Sequence, residues 1–370
     1  MTTHNPLQEL RKLGQSIWLD DIGRKMLADG SLARLIHDDG IAGVTSNPAI
    51  LANSITSDPQ YAQAIKDLLP KVDGSMALYE ALAIDDLRGA ADLFRPLYDS
   101  LQGRDGFVSL EVSPHLAYDT QGSIEEARRL WGRLDRANAF IKIPGTEPGL
   151  AAIRQLIAEG ININVTLLFS PERYRAVAHA YIEGLESRAA AGKPVDRVAS
   201  VASFFLSRID AKVDPQLDKL AAGGQPAART LRGKSAIASA ARAYQVYEEL
   251  IGSARWEALV QRGARTQRLL WASTSAKDPT FSPTKYVEEL IAPDTVNTAP
   301  LETINSYRQR GQPQPRLERH LADADDVIDG LERLGIDLEE VAVQLEREGV
   351  TKFVEPFDRL QGWLSERRGK

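Results

Sequence analysis

The sequence predicts a (β/α)8 TIM-type barrel with additional helices, and three observations carry that expectation. Eight short apolar or β-branched runs recur along the 370 residues, each followed by a turn and a stretch of helical periodicity. No obvious linker divides the chain. No run is followed by the Gly-x-Gly-x-x-Gly turn expected of a doubly wound dinucleotide-binding sheet. Strand–helix alternation gives a parallel sheet packed with helices, and eight such units in a chain of this size close into a barrel.

The expected strands are Ser16–Asp20, Ile41–Ser46, Phe107–Val112, Phe140–Pro144, Ile161–Phe169, Val198–Phe205, Arg268–Thr274 and Asp294–Ala299. Ser170-Pro171-Glu172 starts a helix with a capping serine, a first-turn proline and an acid, and Tyr174, Val177, Tyr181 and Leu185 continue it at helical spacing. Ser123-Ile124-Glu125-Glu126 has the form of a capping box. A short helix over Gly149–Ile157 runs to Gly160, a C-terminal glycine. The long connections 48–106 and 209–267 each have room for more than one helix. Beyond Pro300 the pattern becomes charged amphipathic helix, interrupted at Pro313 and Pro315. The expectation is one barrel domain over residues 1–370, with 300–370 as helical C-terminal decoration. Gly233-Lys234-Ser235 resembles the end of a phosphate-binding P-loop, but position 228 is alanine and no strand precedes it.

Composition narrows the function. A hydrophobic share of 43% and a charged share of 26% are those of a globular protein. A net charge of -6 with both signs interspersed gives no reason to expect a nucleic-acid or membrane partner. Residues 1–10 lack the apolar core of a secretory signal, so a cytoplasmic location is the expectation. The absence of cysteine excludes thiolate nucleophiles, disulfides and cysteine metal sites. His4, His37, His115, His179 and His320 are scattered, with no pair at metal-ligand spacing, so no cofactor or metal is expected. Oligomeric state stays open between monomer and homodimer.

Lys142 lies within Phe140-Ile141-Lys142-Ile143-Pro144, an apolar run that otherwise reads as a buried strand. Apolar surroundings strip an ammonium of its hydration and favour the neutral amine, which can attack a carbonyl. The competing reading is a strand-end lysine whose stem snorkels to water. The other strands bear on the choice, because polar residues toward the C-terminal ends of barrel strands read as catalytic. Asp20 ends the first run, Asn47 follows the second, and Glu111 lies in the third. Asn162, Asn164 and Thr166 alternate on the fifth, and Ser203 lies in the sixth ahead of Arg208. Ser273, Ser275 and Lys277 lead out of the seventh.

Each has a plain alternative. Asp20 or Asp21 could cap a helix, Asn47 could be a turn residue before Pro48, and Glu111 an exposed edge residue. Arg208 could make a surface ion pair, Ser273 and Ser275 could cap the next helix, and His115 near Pro114 reads as structural. Convergence of the strand ends favours the functional alternative. A lysine flanked by two carboxylates suits imine formation and carbon–carbon cleavage, which need an acid and a base. Asn47 and Asn164 could bind substrate hydroxyls. Arg208, the Ser273/Ser275 turn and Lys277 suit a phosphate.

Taken in order, Trp18-Leu19-Asp20, Gly43-Val44-Thr45-Ser46-Asn47-Pro48, Ser109-Leu110-Glu111-Val112, Ile141-Lys142-Ile143-Pro144 and Asn164-Val165-Thr166-Leu167-Leu168-Phe169-Ser170 resemble transaldolase, in its longer bacterial and plastid type. The resemblance runs from Trp18 to about Arg308. It implies transfer of a dihydroxyacetone unit from sedoheptulose 7-phosphate or fructose 6-phosphate to glyceraldehyde 3-phosphate or erythrose 4-phosphate, in the non-oxidative pentose phosphate pathway. It implies further that Lys142 forms the Schiff base, Asp20 deprotonates the C4 hydroxyl, and Glu111 moves protons through a water that Thr166 helps hold. Asn47 and Asn164 would bind the three-carbon unit, Ser203 and Phe205 would wall the pocket, and Arg208 and Ser273 would hold the phosphate. One departure stands out. The short transaldolases have a second phosphate-binding arginine where this chain has Ser275, with Lys277 two residues on as the replacement charge. Fructose 6-phosphate aldolase, the nearest relative in chemistry, typically has glutamine and tyrosine in place of Glu111 and Phe205. A catalytically silent sugar-phosphate-binding barrel is the alternative of another class.

Overall fold

A computed structural model describes residues 5–368; His4 lies outside them. Its centre is a closed barrel of eight strands in sequence order, all paired in parallel. The strands are β1 (Gln15–Leu19), β2 (Gly43–Val44), β3 (Phe107–Glu111), β4 (Ala139–Pro144), β5 (Ile163–Leu168), β6 (Ser200–Phe205), β7 (Arg268–Ala272) and β8 (Thr295–Ala299). Every expected strand is present. β2 is shorter than the apolar run that announced it, although Ala42 N–H still donates to Ile17 O and Thr45 N–H to Leu19 O on β1. Gly43 is needed there, because a Cβ would come within 2.6 Å of the Trp18 ring.

Alternation along the strands separates two faces. Val108, Leu110, Ile141, Ile143 and Val165 are buried on the face turned toward the helices. Trp18, Phe107 and Phe140 share the parity of Asp20, Glu111 and Lys142, and so fill the barrel below them. Phe107 and Phe140 stack at 4.3 Å between ring centroids. Aromatic packing in the lower barrel leaves the polar groups at the C-terminal end.

The helical signals hold with one correction. Ser170 caps Pro171–Ala190 by accepting from Arg173 N–H, and Tyr174, Val177, Tyr181 and Leu185 are buried. The helix ending at Gly160 starts at Glu147, with Thr146 as its cap. Ser123, however, is not a cap: its helix spans Thr120–Leu134 and begins at Asp119, which accepts from Gly122 N–H. Asp119 lies one turn upstream and takes the capping role, so Ser123 bonds to Leu116 O and Glu126 accepts from Ser113 N–H instead. Gly233-Lys234-Ser235 is no phosphate loop. Carboxylates of the helix Ser207–Ala222 already occupy that helix start, Asp214 accepting from Gly233 N–H and Asp210 from Ala236 N–H, each at 2.8 Å.

The tail forms helices Leu301–Arg310, Leu317–Arg333 and Leu338–Arg368. The second packs on Ser235–Ile251. The third contacts Pro48–Ser57, Gly74–Ser100, Ser207–Ala222 and β5, and so crosses the barrel's C-terminal end. Part of its charge is spent on docking. Asp358 meets His115 at 2.7 Å and Glu348 meets Lys212 at 2.6 Å, which gives His115 its structural role. Among the described residues no helix is long and apolar enough to cross a membrane.

Candidate active site

Glu111, Lys142 and Asn164 are direct register partners on β3, β4 and β5, so their side chains enter the barrel side by side. All three are buried. Lys142 does not snorkel out of the barrel: only 4% exposed, its Nζ lies 3.4 Å from Glu111 Oε2 and donates to Ser46 O at 3.2 Å. Burial pushes the Glu111 carboxyl up to about 7, opposed by the attraction of Lys142 and reinforced by repulsion from Asp20. Both Glu111 oxygens and Thr166 Oγ1 are buried without a hydrogen bond in the protein beyond that Glu111–Lys142 contact.

Asp20 follows β1 and is not a helix cap, because the next helix starts only at Arg24 after Gly23. Its Oδ1 accepts from Thr45 Oγ1 at 2.6 Å, and Thr45 in turn contacts Thr298 Oγ1. Burial raises the Asp20 pKa above the ordinary carboxylate value, while Lys142, the Thr45 hydrogen bond, Arg208 and Lys277 pull it down. Lys142 thus sits in the field of two carboxylates. Asn47 caps the helix Pro48–Ser57, its Oδ1 accepting from Ala49 and Ile50 N–H, and it also lines the cavity. Asn164 is held on both sides, donating to Ser109 Oγ and accepting from Ser203 Oγ. Asn162 stays out of the site. It bonds backbone groups of Ala137, Ala139 and Ala199 at the other end of β5.

Above this layer lies a cavity of about 400 Å³, lined by Asp20, Asn47, Lys142, Ser203 and Phe205 on its inner side. Arg208, Ser273, Ser275 and Lys277 line its outer part. The Arg208 guanidinium lies over the Phe205 ring at 5.4 Å and the Phe353 ring at 5.9 Å, with a buried Nη1 that has no hydrogen-bond partner. That is not the geometry of a surface ion pair. Ser273 takes a left-handed φ of 53° directly after β7, and its Oγ pairs with Ser207 Oγ at 2.9 Å. Lys277 Nζ donates to Ser275 Oγ at 2.7 Å. Strained backbone of this kind gathers at functional sites. A second case is Leu167 at φ 61°, beside the irregularity in β5 that follows Thr166.

Sequence reasoning missed Thr45, Ser109, Thr298, Lys352 and Phe353. Ser109 was within reach, two residues before Glu111 and so on the same face. Lys352 and Phe353 gave no signal, because they sit in a charged helix that reads as surface. A larger groove of about 570 Å³ lies between Ser235–Ile251 and Leu317–Arg333, away from the buried lysine–carboxylate pair.

A closed parallel barrel with a buried lysine between two carboxylates, beneath a cavity edged by cations, defines an α/β-barrel enzyme of carbonyl chemistry. Comparison with known proteins narrows the class. The family model for Transaldolase/Fructose-6-phosphate aldolase matches residues 17–364. A protein named Transaldolase 2 from Nostoc sp. is 46% identical over 97% of both chains. Transaldolases from Thiobacillus denitrificans and Acidothermus cellulolyticus are 46% and 48% identical, covering 96% of this chain and 98% and 95% of theirs. The chain belongs to the transaldolase/fructose-6-phosphate aldolase family, and the match extends through the C-terminal helices well beyond Arg308.

Proposed function

We propose that this enzyme is a transaldolase, a transferase that moves a dihydroxyacetone unit between sugar phosphates through an imine on Lys142. The observation that carries the reading is the buried Lys142–Glu111 pair at 3.4 Å, with Asp20 close enough to perturb Glu111. Lys142 Nζ adds to the ketose C2 carbonyl. A Glu111 carboxyl near neutrality then gives a proton to the departing hydroxyl, and water leaves as the iminium forms. The Asp20 carboxylate takes the proton from the C4 hydroxyl, the C3–C4 bond breaks, and its electron pair moves into the iminium. An aldose phosphate departs and a three-carbon enamine stays on Lys142. When an acceptor aldose phosphate binds, the enamine attacks its aldehyde, Asp20 returns the proton, and hydrolysis through Glu111 frees Lys142.

Thr166 Oγ1 and the Glu111 oxygens make no hydrogen bond within the protein beyond the Glu111–Lys142 contact, and so are free to share a water. Asn47 and Asn164 meet the hydroxyls of the three-carbon unit, with Ser203 and Phe205 as walls. Arg208, Ser273, Ser275 and Lys277 receive the phosphate. Phe205 favours transfer over release, because a phenyl wall has no proton to give to the enamine carbon. The reading places the enzyme in the non-oxidative pentose phosphate pathway.

Borohydride reduction with fructose 6-phosphate, followed by peptide mass mapping, tests the imine. A three-carbon adduct on Lys142 is expected, and its absence sinks the mechanism. Fructose 6-phosphate without an acceptor tests the transfer, since steady release of dihydroxyacetone would show an aldolase instead.

A further inference from the structure

We infer that Lys352, on the C-terminal helix Leu338–Arg368, is a phosphate-binding residue of this enzyme, acting with Lys277 where a second arginine is lacking. The inference rests on the sugar-phosphate reading above. Lys352 lines the same 400 Å³ cavity as Arg208, Ser273 and Lys277, although it lies far from them in sequence. Its neighbour Phe353 is only 3% exposed, and its ring lies 5.9 Å from the Arg208 guanidinium, which also sits over Phe205. The helix can come this close because position 349 is glycine: a Cβ there would lie 2.9 Å from Leu167 Cδ2 and 3.6 Å from Arg208 Nη1. Burial of Phe353 therefore fixes where Lys352 points, at the rim rather than into the packed layer.

The charges around the rim agree. A phosphate monoester carries about -1.5 to -2 at neutral pH, more than Arg208 alone offsets. Lys277 is held below its ordinary lysine value by burial and by the neighbouring charges of Arg208 and Lys352, against the pull of Asp20 and Glu302. Of the two acids about one turn from it on the same helix, Glu348 is already bonded to Lys212 at 2.6 Å, and Glu355 lies three residues on. Three cations crowd one opening, and a bound dianion turns their mutual repulsion into attraction. As point charges on flexible stems, the two lysines can follow the phosphates of donors and acceptors of different length. A merely solvated surface lysine would leave phosphate binding unchanged.

The test compares the wild-type chain with Lys352→Gln and Lys352→Arg. Lys352 is exposed, so neither change removes buried packing. The readouts are KM for fructose 6-phosphate and the inhibition constant of inorganic phosphate used as a competitor. Lys352→Gln should raise both by about 10-fold, the size expected for one charge-assisted contact, with kcat within about 3-fold. Lys352→Arg should restore both to within about 3-fold. If both constants stay within about 2-fold of wild type in Lys352→Gln, the inference is overturned while the Schiff-base reading stands. If wild-type enzyme gives no borohydride adduct on Lys142, both fall.

Discussion

Glu111→Gln probes the step on which the whole mechanism turns. The substitution keeps the shape and removes the proton. Raising the carboxyl from 4.5 to about 7 corresponds to about 3 kcal/mol in favour of the neutral form inside the barrel. That preference is set mainly by lost hydration and is softened by Lys142. The pKa is raised, so the proton is held below about 7 and lost as pH rises through it. Imine formation needs an acid to expel hydroxide, so its rate should fall on the alkaline side of about 7 in the wild type. The assay is rapid-quench borohydride trapping of the Lys142 adduct across pH 5.5–8.5, on the order of the range that brackets this titration. Glu111→Gln should slow adduct formation by about 100- to 10,000-fold, the usual contribution of a placed acid, and should abolish the limb near neutrality. A variant within about 5-fold of wild type, or one that keeps the same limb, would remove Glu111 from proton transfer.

Three other substitutions separate the remaining roles. Asp20→Asn should slow cleavage by about 100- to 10,000-fold yet still yield a six-carbon adduct on Lys142 with fructose 6-phosphate, because imine formation precedes the Asp20 step; mass mapping that finds no adduct would place Asp20 earlier in the sequence. Lys142→Ala should abolish adduct and turnover while the protein stays folded by circular dichroism, since the Glu111 left behind can become neutral near pH 7. Measurable transfer by that variant would refute the covalent route. Arg208→Ala should raise KM for fructose 6-phosphate by about 10- to 100-fold, as expected for loss of a charged contact to phosphate, and leave the response to unphosphorylated dihydroxyacetone in trapping experiments almost unaltered. Equal losses for both ligands would point to a collapsed cavity instead of a lost phosphate contact.

Much of the barrel was legible because its signals are local. Apolar runs such as Ile161–Phe169 must be buried wherever they lie, and Ser170-Pro171 starts a helix in almost any context. β2 and the Ser123 segment show where local signals stop. The Ile41–Ser46 run pairs as a strand only at Gly43–Val44, and Ser123 lost the capping role to Asp119, an upstream competitor that the pattern did not weigh. Strand alternation also put Asn162, Asn164 and Thr166 on one face of the fifth strand, but it could not tell that Asn162 would be held by backbone groups at the far end.

Taken by itself, then, the sequence determined the elements, their order, and which residue types each strand carries toward the barrel axis. Only the tertiary structure decided what those residues meet. Lys142 could have snorkelled, and became a buried partner of Glu111 because register sets β3 beside β4. Asp20 could have capped a helix, and became a second carboxylate near Lys142 because the barrel closes β8 onto β1. Lys352 had no pattern to mark it, since a charged helical face looks the same whether it meets water or a cavity. Periodicity encodes a side chain's direction within its own element; the partner it faces depends on contacts between elements far apart in the chain, which only packing resolves.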